Sequence, residues 1–269
     1  MTHVYALVNQ KGGVGKTTTA VNLGAYLAAK NQRVLLIDID PQANATSSLG
    51  FNKHQIKRST YHILIDDVPL PQTIQLTKRL RLDLAPSSSA LAGAEVELVD
   101  LAERERRLKH ALAEVQANYD YVLIDCPPSL GLLTVNALTA AHGVLVPVQC
   151  EYLALEGLSQ LMNTVQLVRK ALNPGLIVRG LIMTMFDSRM KLAQQVVNEA
   201  KSHFGNRVFN TLVPRSVRLG EAPSFGEPIL SYAPTSSGGI AYDQLADELL
   251  NSDRAIEAQL AARTTQAVN

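Results

Sequence analysis

The stretch Gln10-Lys11-Gly12-Gly13-Val14-Gly15-Lys16-Thr17-Thr18 decides how this chain is read. It follows a short apolar run, Val4 to Val8, and precedes a stretch with helical spacing, Ala20 to Ala28. Strand, glycine-rich turn and helix form the setting in which a backbone loop cradles phosphates. Gly12, Gly13, Val14 and Gly15 let successive N–H groups turn toward one point, and the helix opened by Thr17 and Thr18 adds the positive end of its dipole there. Lys16 supplies a mobile point charge for β and γ phosphates, and the Thr17 hydroxyl is a ligand type suited to Mg²⁺. The common pattern G-x-x-x-x-G-K-[ST] would put its first glycine at position 10, where this chain has Gln10. A second lysine, Lys11, stands inside the loop instead, and the loop alone does not say what it does.

Outward from the loop, 269 residues suffice for one large α/β domain or two small ones. Hydrophobic content of 46% and charged content of 18% fit a folded cytosolic protein. The net charge of +1 gives no overall field that points to nucleic acid, but its distribution is uneven. Residues 160–219 hold nine of the 25 Lys/Arg and only two of the 24 acids, which makes a basic segment on a mildly acidic body. Such a segment points to an anionic partner. Cys126 and Cys150 adjoin apolar runs, have no metal-ligand spacing and are expected as buried, reduced thiols. The first strand begins at once, so no signal peptide is expected, and no run approaches the ~20 apolar residues of a membrane span.

Apolar runs and helical patterns alternate along the whole chain. Strands are expected at 34–37, 80–84, 121–124, 144–148, 177–184 and 208–213, and helices over 17–30, 102–117, 130–141, 153–172, 190–204 and 239–262. Continuous Val/Leu/Ile runs are what parallel strands covered on both faces look like. The expected fold is a doubly wound, mostly parallel α/β sheet with helices on both faces, as one domain over 1–254 with a polar tail at 255–269. Ligands on such sheets bind beyond the carboxyl ends of the strands. The loops at 10–18, 38–44 and 125–131 should therefore converge.

Two of those loops carry acids. Ile37-Asp38-Ile39-Asp40-Pro41-Gln42 places Asp38 and Asp40 two apart, on one face of extended chain. Beside a phosphate loop, one would orient or deprotonate the attacking water and the other would support the metal shell; alone, the pair could equally be a strand-end turn. Val122-Leu123-Ile124-Asp125 is an apolar strand ending in an acid, a pattern whose carboxylate can reach Mg²⁺, often through water, although many strands end in Asp and the pattern alone is weak. The six histidines are scattered, and none competes as a catalyst.

Taken together, Lys11-Gly12-Gly13-Val14-Gly15-Lys16-Thr17-Thr18, Ile37 to Asn44, and Ile124-Asp125-Cys126-Pro127-Pro128 resemble the deviant Walker A P-loop ATPases, and within them the ParA/Soj partition proteins. The likeness continues through Ser129–Ala137, Glu151–Gly157 and Val213–Gly226, and covers roughly residues 3–250. It implies an ATP hydrolase, Mg²⁺-dependent and slow by itself, in which two subunits sandwich two ATP molecules. Lys11 would be the signature lysine that reaches the other subunit's phosphates, and Gly12 would lie where the two loops face each other. Asp40 would be the water-activating acid, with Asp38 beside it and Asp125 as the Walker B acid. Met185, Pro214 and Arg215 would border the base.

The same resemblance implies that the ATP-bound homodimer binds double-stranded DNA without sequence preference. Arg189 and Arg218 match the family's DNA-contacting arginines, and Lys191 and Lys201 lie in the same basic segment. A centromere-binding ParB-type partner would stimulate hydrolysis, and the protein would be cytoplasmic and nucleoid-associated, without a membrane partner. A MinD-like membrane ATPase is the alternative. Against it, Ala255–Asn269 has few large apolar residues and one base, Arg263, where a lipid-binding helix would be basic and amphipathic.

Overall fold

In a computed structural model, which describes residues 1–151 and 156–268, seven strands form one sheet in the order β3-β4-β2-β5-β1-β6-β7. They are β1 (His3–Leu7), β2 (Val34–Asp38), β3 (Gln75–Leu76), β4 (Leu82–Ala85), β5 (Tyr121–Asp125), β6 (Gly143–Gln149) and β7 (Ile177–Thr184). All neighbours pair in parallel except β3, which runs antiparallel to β4 at the edge. The helices are α1 (Lys16–Ala29), α2 (Asn44–Ser48), α3 (Thr60–Leu64), α4 (Leu91–Glu97), α5 (Arg107–Ala113), α6 (Leu132–Ala140), α7 (Glu156–Ala171), α8 (Lys191–Phe204), α9 (Val217–Glu221), α10 (Ile229–Tyr232) and α11 (Ser237–Val268). Tyr152 to Leu155 of the motif that begins at Glu151 lie outside the described residues.

The apolar runs are continuous because alternate side chains feed two different cores. On β5, Tyr121 and Leu123 pack with α1 and α11, while Val122 and Ile124 pack with α4 to α8. β1 and β2 divide in the same way: Tyr5, Leu7, Val34 and Leu36 face the first layer, and Val4, Ala6, Leu35 and Ile37 the second. Each fully buried Leu, Ile or Val contributes roughly 1.5–3 kcal/mol relative to exposure. A polar residue in these strands is therefore admitted only where the strand ends, and both β2 and β5 end in aspartate.

Pro147 sits inside β6 without breaking it. On the side facing β1, Leu145 O accepts from Val8 N, and β1 then leaves the sheet. Two residues on, the missing Pro147 N–H faces a stretch with no strand beside it, so no ladder bond is lost.

Two expected elements differ. Residues 208–213 make only isolated bridges at Val208 and Pro214, not a strand. The Glu248 carboxylate of α11 takes the Asn210 and Thr211 amides at 2.7 and 2.9 Å, so a side chain replaces the ladder there. The helix expected over 102–117 shrinks to α5, because Glu103 takes a left-handed φ of 50° and ends any turn that precedes it. At the C-terminus, α11 continues through 254 without a break.

One close backbone contact ties the loop after α2 to the segment after α9. Gly226 has φ 65°, and a Cβ built on it would lie 2.6 Å from Gly50 Cα. Gly226→Ala combines left-handed strain with a backbone clash, and we expect it to lower unfolding free energy by about 2–4 kcal/mol. Urea denaturation measures this, and a loss below about 1 kcal/mol would mean that the contact is slack.

Candidate active site

The loop between β1 and α1 is fixed at both ends by side chains. Asn9, 4% exposed, donates to Pro147 O at 2.7 Å, and its Oδ1 accepts from Lys11 N at 3.0 Å. The Thr184 hydroxyl at the end of β7 donates to Val14 O at 2.8 Å. Gly13 and Gly15 have φ of 75° and 87°, the left-handed turns that only glycine makes without strain. Gly15 caps α1 with no side-chain bond at the cap, so the first amides of α1 are left for a ligand. Neither Asn9 nor Thr184 stood out in the sequence, because their bonds join parts of the chain far apart.

Lys16 is 7% exposed, and its Nζ lies 3.4 Å from Lys11 O, across the loop. Burial lowers the pKa of its ammonium, while Asp125, Cys126 and Asp40 pull it back up. Asp38 and Asp125 are register partners at the carboxyl ends of β2 and β5, and Asp125 also faces Leu7, the last residue of β1. The sheet thus brings the loop and both strand-end acids to one place.

Asp125 is fully buried, and among the described residues neither of its oxygens has a partner in hydrogen-bond geometry. Burial and then the charge of Asp38 push its carboxyl well above the ordinary range, with Thr17 and Lys16 opposing. An orphaned buried carboxylate beside a threonine hydroxyl and the phosphate loop fits a divalent cation, which would satisfy oxygens the protein leaves bare. Among the described residues no group of three or more His, Cys, Asp or Glu could hold a metal by itself.

Asp38 is engaged differently. Thr46 donates to its Oδ2 from N and from Oγ1, at 2.8 and 2.7 Å, and Asp40 N donates to its Oδ1 at 3.1 Å. Burial pushes its carboxyl up to about 6 against those bonds. Asp40, 6% exposed, accepts from Gln42 N on Oδ1 at 2.9 Å. Cys126 and Cys150 are buried, and burial raises both thiols (Cys150 to about 12), which disfavours the nucleophilic thiolate.

Met185, Pro214 and Arg215 line one cavity with Gly15, Thr18, Thr184 and Tyr242, about 230 Å³ in volume. The bonds Val213 N to Met183 O and Phe186 N to Val213 O straddle Met185 and hold it at φ 52°. A larger hollow, about 360 Å³ and lined by Arg179, Arg207 and Phe209, opens at the other end of β7, away from the loop and the acids.

Lys11 points out of its own loop. Its side chain is 41% exposed, and Nζ rests 3.5 Å from Glu151, which also lies 3.5 Å from Arg215. A Cβ on Gly12 would meet nothing within 4 Å, and Gly12 is not among the positive-φ glycines. Arg189 is 87% exposed and makes a two-pronged pair with Asp187, while Arg218 pairs with Glu221 at 2.8 Å. The loop that carries Arg189 and the one that leads into α9, which carries Arg218, are tied side by side, with Phe186 bridging Pro214 and Arg215 N donating to Phe186 O at 3.1 Å. Lys191, the first residue of α8, is exposed beside Arg189. Among the described residues no helix is long and apolar enough to cross a membrane.

A family model described as an AAA domain matches residues 2–178. The sporulation initiation inhibitor protein Soj of Bacillus subtilis is 56% identical over 249 residues, covering 93% of this chain and 98% of that protein. The chromosome partitioning protein ParA of Myxococcus xanthus is 52% identical over 250 residues, covering 93% of this chain and 88% of that protein. Among solved structures, cobyrinic acid a,c-diamide synthase from Mycobacterium smegmatis with bound ADP and magnesium superimposes with a TM-score of 0.84 at 40% identity, covering 94% of this chain and 96% of that one.

Proposed function

The chain belongs to the Soj/ParA family of chromosome-partitioning ATPases, and from that footing we propose that it is a Mg²⁺-dependent ATP hydrolase that works in pairs on DNA. The observation that carries the enzymatic part is the orphaned Asp125 carboxylate beside Thr17 and Lys16, at the mouth of a glycine loop. Thr17 Oγ1 and Asp125 would hold Mg²⁺, which would neutralise charge on the β and γ phosphates. The loop amides and Lys16 hold the phosphates. Asp40 orients the attacking water and takes its proton. Met185, Pro214 and Arg215 border the base in the adjoining cavity.

Pairing is supported by Gly12 and Lys11. Among the described residues neither φ nor a neighbour requires glycine at position 12, and the small residue is suited to a second chain's approach. Lys11, exposed and directed away from its own phosphate loop, is free to serve the partner's phosphates once it leaves Glu151. Basal turnover is slow because this charge, which balances the one developing in phosphoryl transfer, comes from the second copy. DNA binding is supported by Arg189, Lys191 at the start of α8 and Arg218 in α9, on two joined segments, where the exposed ion pairs of the two arginines contribute little and are exchanged for phosphates at low cost. From the family we assign a ParB-type partner that speeds hydrolysis, and a cytoplasmic, nucleoid-bound location.

The test is DNA binding with ATP, with ADP and without nucleotide, with sedimentation of the same samples. ATP alone should give both the heavier species and the DNA complex. Arg218→Glu or Arg189→Glu should weaken DNA binding about tenfold or more at low salt and flatten its salt dependence by ~0.9 per lost contact, with ATP-dependent pairing intact. Unchanged binding in both variants would move the DNA face elsewhere, and strong ATP-dependent pelleting with liposomes would overturn the DNA reading in favour of a membrane ATPase.

A further inference from the structure

Asp40 stands beyond the sheet. The last ladder bond is Ile39 N to Asp125 O at 3.0 Å, so the acid needed for chemistry is the first residue that β2 no longer holds. A closed ring of hydrogen bonds holds it instead. Ser87 Oγ donates to Asp40 O at 2.7 Å, and Ser87 N donates to Thr46 Oγ1 at 2.9 Å. Thr46 Oγ1 donates to Asp38 Oδ2 at 2.7 Å, and Asp38 Oδ1 accepts from Asp40 N at 3.1 Å. Asp38, Thr46 and Ser87 are wholly buried. Around the ring, Ala43 N fills the second lone pair of Asp40 O at 2.8 Å, and the Thr60 hydroxyl holds Asp38 O at 2.8 Å.

The ring has a chemical consequence. The Asp40 amide, both carbonyl lone pairs and carboxylate Oδ1 are all engaged. Oδ2 alone makes no hydrogen bond among the described residues. We propose that Ser87 and Thr46 are positioning residues for hydrolysis, holding the Asp40 backbone so that Oδ2 is the oxygen presented to the attacking water. Neither touches the reacting atoms; both act through Asp40. Ser87 comes from the loop after β4 and Thr46 from α2, so two further elements fix the acid that β2 releases. Rigid placement matters because a misplacement of about 1 Å can cost about 100-fold in rate.

The inference rests on the reading of Asp40 as the water-activating acid, and its test separates the two. Ser87→Ala and Thr46→Val should each lower kcat for ATP about tenfold or more, with ATP affinity changed less than about threefold. Thr46→Ser, which keeps the hydroxyl, should restore kcat to within about threefold of the parent. Without nucleotide, hydrogen exchange at the amides of Asp40, Gln42 and Ala43 should speed up about tenfold or more in Ser87→Ala and stay at the parental rate in Thr46→Ser. Parental kcat in Ser87→Ala and Thr46→Val would overturn the positioning role. So would equal loss in Thr46→Ser and Thr46→Val, which would mark a packing effect. If Asp40→Ala itself turned over normally while exchange still sped up in Ser87→Ala, the ring would stand as structure and the role of Asp40 would fall instead.

Discussion

Lys16→Ala should weaken ATP binding at least ~30-fold. The ammonium is 7% exposed and faces Asp125 and Asp40, so it meets a triphosphate in a largely dehydrated site. Removing one partner of a buried, hydrogen-bonded charge pair costs about 2–5 kcal/mol, which corresponds to at least a ~30-fold loss of affinity. The nucleotide-free chain changes far less. Alanine is a good residue for the first turn of α1. The lost attraction to the acids is offset in part, because burial is the largest influence on this lysine and acts against its charge. ATP at 100 times its Kd should stabilise the parent by about 2.7 kcal/mol, an upward shift of roughly 5 °C or more in Tm. The variant should gain about 0.9 kcal/mol or less at the same concentration, at most a third of the parental shift, and titration with a fluorescent ATP analogue gives the affinity directly. Parental affinity in the variant would show that this loop does not hold the phosphates.

What the sequence made legible has a physical pattern. The glycine loop, Asp38, Asp40 and Asp125 are local signals: a turn that needs special φ values, and polar residues that end buried strands. Each can be read from a few neighbours, and the parallel sheet then brings them together because β2, β5 and β1 are adjacent in it. The residues that fix the site were not legible. Asn9 reaches Pro147, Val14 is held by Thr184, and Ser87 binds residues 41 and 47 positions earlier. Asn, Thr and Ser are ordinary surface residues until the fold shows them buried, and no period or spacing marks them. The 208–213 run failed for a related reason. Its composition is that of a strand, but a carboxylate from α11 takes its amides. Local propensity carries no information about a competitor from another helix.

Asp40→Ala should separate binding from chemistry. Alanine keeps the N–H and the C=O that join the ring, so the bonds from Ser87 Oγ and to Asp38 Oδ1 persist. Only the acceptor for Gln42 N is lost, which costs about 1 kcal/mol. Stability should therefore fall little. ATP should bind at least as well, because a carboxylate that repels the phosphates is gone while Lys16, Thr17 and Asp125 remain. Turnover should fall by about 10²–10⁴, the range of a positioned general base. If pairing and DNA binding depend on bound ATP and hydrolysis ends them, a chain that binds and does not cleave should stay on DNA. Its residence time after a chase with ADP should then lengthen by a factor close to the loss in turnover. Phosphate release and DNA dissociation, measured on one preparation, check both halves. Turnover within threefold of the parent would remove Asp40 from the chemistry. Lost turnover with unchanged residence would instead mean that DNA release does not wait for hydrolysis, and that the two activities of this site are uncoupled.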